Sequence, residues 1–335
     1  MYAAEERCGI CFWQKEYRLL RSVSSWPLNC RTFVAGCVFD FTNTKNWRLV
    51  MQKTLSAFWQ VIVFAIAIAL SPFSLSAQSL WLDRSHDKAL SLEVLMPNFK
   101  NDGAGAITSS NSGLAVFSTL RLPLPEQIHF VGELALARAS STTSGAKFSS
   151  SHSETAFGNP YLGIEIRARN TPIFAELGVR VPLASEDNAL SMATGAITDF
   201  DRLEAFAPKH FTVNGMMNFR RIESSGFMIR LRAGSSLAIN TDKQDYERHA
   251  DCFINYGAQL GYESRQFSVG GSFSGRANIS LDEGNFGERT IHQLGLATSV
   301  QLGQFRPGLQ FRLPLDDDLK TIIDAVFGFQ LGIKL

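Results

Sequence analysis

The sequence predicts an all-β fold, a transmembrane antiparallel up-and-down β-barrel of about 12 strands. Three observations predict it. Runs of period-2 hydrophobicity fill the chain after residue 77, the connections between them alternate between short and long, and the last nine residues are a strand with one fully apolar face. That final stretch places Phe327, Phe329, Leu331, Ile333 and Leu335 on one side and Gly328, Gln330, Gly332 and Lys334 on the other. A barrel's closing strand shows such a face to lipid. The usual terminal residue of such strands is aromatic, whereas this one is Leu335.

The N-terminal region divides in two. Met51-Gln52-Lys53 is a short basic segment, residues 57–70 are apolar except for Gln60, and Ser74-Leu75-Ser76-Ala77 supplies small residues before Gln78. These are the three parts of a secretory signal peptide. A run of about 14 residues falls short of the roughly 20 that a spanning helix needs, which argues against a membrane anchor. Residues 51–77 are therefore expected to be cleaved, giving a mature start near Gln78. Residues 1–50 precede that signal and show no amphipathic period. They are expected to be a mis-annotated extension, with Met51 the true start. They hold Cys8, Cys11, Cys30 and Cys37. The spacing Cys8-Gly9-Ile10-Cys11 suits zinc, but the gap between Cys30 and Cys37 does not complete an ordinary site.

Residues 78–335 form one barrel domain. Lys and Arg number 32 against 31 Asp and Glu, so the chain carries no nucleic-acid footprint. Cys252 is the one cysteine after residue 77, so no intramolecular disulfide forms there. No stretch of this region is apolar enough for a helical span, and a membrane protein without one must close its strands into a barrel.

The expected strands lie near 88–97, 113–122, 128–138, 160–168, 173–182, 209–220, 226–235, 250–262, 266–275, 290–302, 305–313 and 319–335. Pro97, Pro123, Pro160, Pro182 and Pro314 fall at their ends, where a missing N–H is tolerated. Short connections follow the second, fourth, sixth, eighth and tenth strands. Long ones, rich in Ser, Gly, Asn and Asp, follow the odd-numbered strands, except the last, near Asp316-Asp317-Asp318. Tight periplasmic turns and long outer loops account for this alternation, and a soluble β-sandwich does not. Tyr161, Tyr256, Tyr262 and the phenylalanines are expected to form the interfacial belts, since Trp81 is the one tryptophan after residue 77.

Alternation also separates the two faces. In 173–181, Ile173, Ala175, Leu177, Val179 and Val181 share one side, and Phe174, Glu176, Gly178 and Arg180 the other. The polar faces together predict lumen-facing transport candidates: Glu133, Glu165, Arg167, Glu176, Arg180, Arg230, Arg232 and Arg312. Glu93, Asp324, Arg121, Arg220 and Arg306 belong to the same faces. A four-residue turn sets Glu165 opposite Glu176, with Arg167 and Arg180 expected to neutralise the pair and narrow the bore. No histidine pair has metal spacing, and no cofactor is implied. Ser151-His152-Ser153-Glu154 has the residue types of a hydrolase but sits in an expected outer loop. The acidic segment from Glu186 to Asp201 is expected to be solvated.

Residues Phe157-Gly158-Asn159-Pro160-Tyr161-Leu162-Gly163-Ile164-Glu165-Ile166-Arg167, followed by Ala175-Glu176-Leu177-Gly178-Val179-Arg180-Val181-Pro182-Leu183-Ala184, resemble two strand motifs of the "MetA-pathway of phenol degradation" family, a group assigned to outer-membrane transport. Asn159 stands where that family carries Asp, and Ala184 where it carries Thr. The resemblance implies a barrel that passes or binds small, partly hydrophobic or aromatic molecules, and it carries over no catalytic residues. The expectation is a non-enzymatic barrel for passive uptake in the outer membrane of a Gram-negative bacterium. Its partners would be membrane lipid and lipopolysaccharide, the barrel-assembly machinery through the C-terminal strand, and a small-molecule substrate, with no nucleic acid. The alternatives are a structural or adhesive barrel acting through its outer loops, and a lipid-modifying enzyme.

Overall fold

The computed structural model describes residues 89–100, 107–145, 148–167, 171–242, 249–281 and 286–335. The 1–50 extension, the 51–77 signal peptide and the Gln78 start expected from the sequence lie outside the described residues.

Twelve antiparallel chain crossings close on themselves. They are β1 (Ala89–Phe99), β2 (Ile107–Pro123), β3 (Ile128–Gly145), β4 in two segments (Phe148–Phe157 and Tyr161–Arg167), β5 (Ile173–Arg180), β6 (His210–Ile222), β7 (Phe227–Asn240), β8 (Ala250–Glu263), β9 (Phe267–Asn278), β10 (Thr290–Val300), β11 (Phe305–Pro314) and β12 (Ile323–Lys334). Each pairs with its sequence neighbours, and β12 returns to β1 with Val94 opposite Phe329 and Leu90 opposite Ile333. Around the closed wall each strand thereby has a partner on both sides, which is the condition for backbone in lipid.

The outward face is apolar around the circumference. Leu162, Leu177, Leu231, Leu260, Leu296, Leu309 and Phe327 are all exposed, Leu309 at 61%. A continuous belt of this kind is unstable in water and stable against acyl chains. Among the described residues no helix is long and apolar enough to cross a membrane. The short connections gather at the end where the chain finishes. There Gly226 and Gly303 take positive φ, of 89° and 62°, in the β6–β7 and β10–β11 turns.

Four elements depart from the sequence expectation. β2 and β3 run past the barrel rim, with Asn111 opposite Ser141 and Gly113 opposite Ala139. The first segment of β4 pairs with the same extension, Ser151 opposite Thr142. The expected Ser-rich outer loop is therefore a hairpin: serine and threonine are depleted of apolar pattern, but they ladder well as strand residues. The chain before β12 forms a short helix, α2 (Asp317–Ile322), where strand had been expected from residue 319. A bulge then follows, since Asn98 pairs with Ala325 and Phe99 with Ile323. Asp324 is the extra residue. It points outward rather than into the lumen and meets Lys100 at 3.4 Å. Tyr161, expected in a belt, lies on the inner face instead and is buried.

Leu177 tests the assignment of faces. It is 56% exposed on the outer side of β5, directly opposite Ile164 on β4. Leu177→Arg should cost about 2–4 kcal/mol near the midplane. Membrane-assembled, heat-modifiable barrel should fall accordingly; an unchanged yield would mean that Leu177 does not face lipid.

Candidate functional site

The longest outer connection, residues 181–209, folds into the barrel instead of standing in solvent. Ser185 Oγ accepts the Asp187 N–H at 3.3 Å and starts a short turn (Glu186–Asn188). The helix α1 (Ala189–Thr198) follows. Its N-terminal N–H groups have no cap of their own. Glu154 of β4 supplies one, accepting the Leu190 and Ser191 N–H at 3.0 and 3.3 Å. A 3-10 segment (Phe200–Phe206) then descends along the axis.

The barrel wall is shaped to receive this segment. The inner faces of β2, β3 and β4 present Ala115, Ala135, Ala137, Ala139 and Ala156. Methyl groups at these positions leave space for a helix. Met192, Ile197, Phe200, Ala205 and Phe206 fill it and pack with Leu95, Phe117, Ile323 and Val326. Phe206 meets Phe117 edge-on at 5.7 Å, and Gly195 allows its ring to lie flat against α1.

Asn159, at the break in β4, fastens both ends of the inserted segment. Its Oδ1 accepts the N–H of Leu183 and Ala184, both at 2.8 Å, and its Nδ2 donates to Glu204 O at 3.0 Å and Ala207 O at 2.6 Å. Its own N–H donates to Ala205 O at 2.6 Å. Gly158 beside it touches the same Ala205 carbonyl, and any side chain there would collide. The one-residue bulge that aims Asn159 inward therefore belongs to the plug's seat.

Beneath the apolar contact lies an alternating ring of charge. Arg202 donates to Glu93 at 2.5 Å, to Glu133 at 3.1 Å and to Asp199, and it stacks over Phe117 with its guanidinium carbon 3.5 Å from the ring centroid. Glu133 also receives Arg180 at 2.6 Å, Glu93 receives Arg312 at 2.9 Å, and Arg312 reaches Asp199 at 3.1 Å. Arg202, Glu93, Arg312 and Asp199 thus close an alternating ring, and Glu133 joins Arg180 to it through Arg202, all buried. Burial alone would raise the Asp199 carboxyl, but Arg202 and Arg312 outweigh it and hold it at about 2. Withdrawal from water, then the Asp199 charge, push Asp201 up to about 6, against the pull of Arg232 and Arg312. Burial is likewise overcome at Glu204, which Arg276 holds below the usual carboxylate range at 2.7 Å.

Glu133, Arg180 and Arg312 thus join one network, together with Arg202 and Asp199 from the plug. Glu165 does lie opposite Glu176. Arg121 holds Glu165 at 2.5 Å with Arg167 at 3.4 Å, and Tyr161 Oη donates to Glu176 at 2.6 Å. Arg180 does not neutralise Glu176, because its register partner is Tyr161, whose own neighbour across the sheet is Glu133. Arg230 and Arg232 lie on β7 and are half-buried, Arg230 reaching Glu263 at 3.1 Å and Arg232 acting on Asp201. Asp199 and Asp201 were expected in solvent, and Arg202 was not singled out. The available signal was the row of inward alanines, which an empty polar lumen does not need.

The plug is eccentric. Inward side chains of β1 to β5 are buried apart from Arg167, whereas on β6 to β9 Asn214, Asn218, Arg220, Arg230, Arg232, Glu263 and Ser272 keep some exposure beside buried Thr212, Met216, Met228, Ser236, Gln259 and Ser274. Two cavities follow that wall. One of about 20 Å³ is lined by Asp201, Ser274, Gln293, Gly295 and Arg312, and one of about 10 Å³ by Arg230, Gln259, Glu263, Ser268 and Ser299, each with room for about one water. Among the described residues no group of His, Cys, Asp or Glu is arranged to hold a metal ion. Ser151 and Ser153 alternate with His152 along β4, so strand geometry turns the hydroxyls away from the imidazole. Ser151 bonds Thr142 at 3.2 Å, and His152 bonds Glu154 at 2.7 Å.

No family model matches the sequence, that of the phenol-degradation group included, and no curated protein matches it. Solved structures with a similar fold include an outer membrane channel from Pseudomonas putida F1, with 9% identity over 77% of this chain and 99% of that one and a TM-score of 0.48. The NanC porin shares 7% over 73% and 100%, with a TM-score of 0.42. LpxR from Salmonella typhimurium shares 12% over 73% and 99%, with a TM-score of 0.39. The barrel assignment rests on strand register and the apolar outer face, independently of these likenesses.

Asn159→Ala removes four side-chain hydrogen bonds at the seat of the plug. A buried group left without partners costs about 1–3 kcal/mol. Amide exchange in residues 183–207 should accelerate while the β-strand amides stay protected. Equal protection in both proteins would show that Asn159 does not hold the segment.

Proposed function

We propose that the protein is an outer-membrane barrel for passive passage of small molecules, exported through its signal peptide and assembled through its C-terminal strand, and that it is not an enzyme. The eccentric plug carries this reading. A barrel serving only as an anchor has no reason to place Gly257, Gly261, Ser268, Gly270, Ser272 and Gly295 on the inner face away from the plug's apolar seat. Small inward residues beside polar ones keep a wet path open along β8 to β10. Since the wall is polar, passage favours polar solutes over the hydrophobic or aromatic ones that the family resemblance implies.

A second reading draws on the Ser- and Thr-rich extension of β2, β3 and β4 beyond the rim, which suits an adhesive role at the outer face. It differs in what it leaves intact: removing the hairpin tip would abolish adhesion and spare conductance.

Purified barrel in planar bilayers should conduct. Arg202→Ala leaves Glu93 and Glu133 buried with one fewer cation, a change of about 3–5 kcal/mol for a broken buried pair. The plug should loosen and single-channel conductance should rise several-fold, with the strands still heat-modifiable. Silence of both the wild-type protein and this variant would contradict a transport role.

A further inference from the structure

The inserted segment carries two carboxylates two residues apart, and they are held differently. Asp199 is held by charge: Arg202 donates to it at 2.7 Å, and Arg312 reaches it at 3.1 Å. Asp201 turns toward the wall of β9 and β10. Its Oδ2 accepts Gln293 Nε2 at 2.7 Å and Ser274 Oγ at 3.2 Å, both neutral donors. Gln293 Nε2 also donates to Ser274 Oγ at 2.9 Å. A protonated Asp201 fits the same frame, because the Ser274 hydroxyl can turn from donor to acceptor. Asp201 is half-buried and borders a cavity with room for about one water, which gives a proton a way in.

Charged groups act on Asp201 from several elements. Asp199, Arg202 and Glu204 share its segment, Arg232 comes from β7, Arg276 from β9 and Arg312 from β11, while β10 contributes the neutral Gln293. Withdrawal from water and the Asp199 charge oppose its ionised form, and they prevail over Arg232 and Arg312. Arg276 is engaged with Glu204, and Arg202 with Glu93, Glu133 and Asp199.

We propose, resting on the transport reading above for its effect on passage, that Asp201 is a proton-operated latch: protonation seats the inserted segment against β9 and β10 and narrows the lumen, and ionisation loosens it. Seated, Asp201 titrates at about 6. Released into water it returns to about 4. The acid form therefore favours the seated state. This gain is full below about 4 and is lost as pH rises through about 6. Asp199, held at about 2, stays ionised across that interval, so its ion pairs with Arg202 and Arg312 persist.

The test is amide exchange of the full barrel at pH 4.5 and pH 7.5, each rate referred to the intrinsic rate at that pH. Protection of residues 183–207 should be roughly 20-fold greater at pH 4.5, with the strand amides unchanged. Asp201→Asn, neutral throughout, should hold the acid level of protection at both pH values. His152→Gln removes the imidazole that bonds Glu154 at the start of α1 and should leave the dependence in place. Conductance of the wild-type protein in planar bilayers should fall several-fold at pH 4.5, and that of Asp201→Asn should be low at both. Wild-type protection that is equal at the two pH values, or greater at pH 7.5, overturns the latch even where the variants fail to assemble. A pH dependence that survives in Asp201→Asn overturns it too. A latch seen in exchange but with pH-independent current overturns the control of passage and leaves the transport reading standing. Absence of current at both pH values in wild-type protein and in Arg202→Ala removes the transport reading, while exchange still decides the latch.

Discussion

Arg202 is the contact on which the inner structure depends. Its charge lies inside a protein-filled barrel, where an unmatched guanidinium would cost several kcal/mol. It is matched by Glu93 of β1, Glu133 of β3 and Asp199 of its own segment, and its flat face covers Phe117 of β2. None of these groups can be desolvated alone. Glu93 and Glu133 need a cation on the axis, and the strands beside them carry alanine and leave the space for one. The plug therefore completes the charge of the wall as well as its packing.

This coupling reaches the closing seam of the barrel. Glu93 sits on β1, Gln310 and Arg312 on β11, and both bond Glu93 across the intervening β12. Gly328 of β12 admits this contact, since a side chain there would strike Gln310 and Leu95. Side chains consequently fill the lumen against β1 to β5, and small cavities remain along the polar wall opposite.

Much of the barrel was legible in the sequence because lipid and lumen impose a strict period of two. That rule placed Leu177 outside and Glu133, Glu165, Glu176 and Arg180 on the inner face of their strands. It failed where the period is broken or carries no apolar signal. The bulge at Asp324 reversed one side chain, and the hydroxyl-rich strands beyond the rim have no apolar face to read. The inserted segment was the larger loss. Asp199, Asp201 and Arg202 look like solvated loop residues until their partners on three distant strands are known. Tyr161 was assigned by type to a belt, although its neighbours Gly163 and Gly178 leave a slot for its ring on the inner face.

Seating of residues 181–209 within the lumen is the claim on which the rest stands, and a disulfide trap tests it most directly. Gly113 of β2 lies against the Thr194 side chain of α1. Cysteines at these two positions, Gly113→Cys with Thr194→Cys, in a background whose native cysteines are serine, are close enough to join with little movement. The expected result is spontaneous cross-linking in assembled protein, with both thiols lost to alkylation until reductant is added. Two freely alkylated thiols in a barrel that still shows heat-modifiable mobility would contradict it.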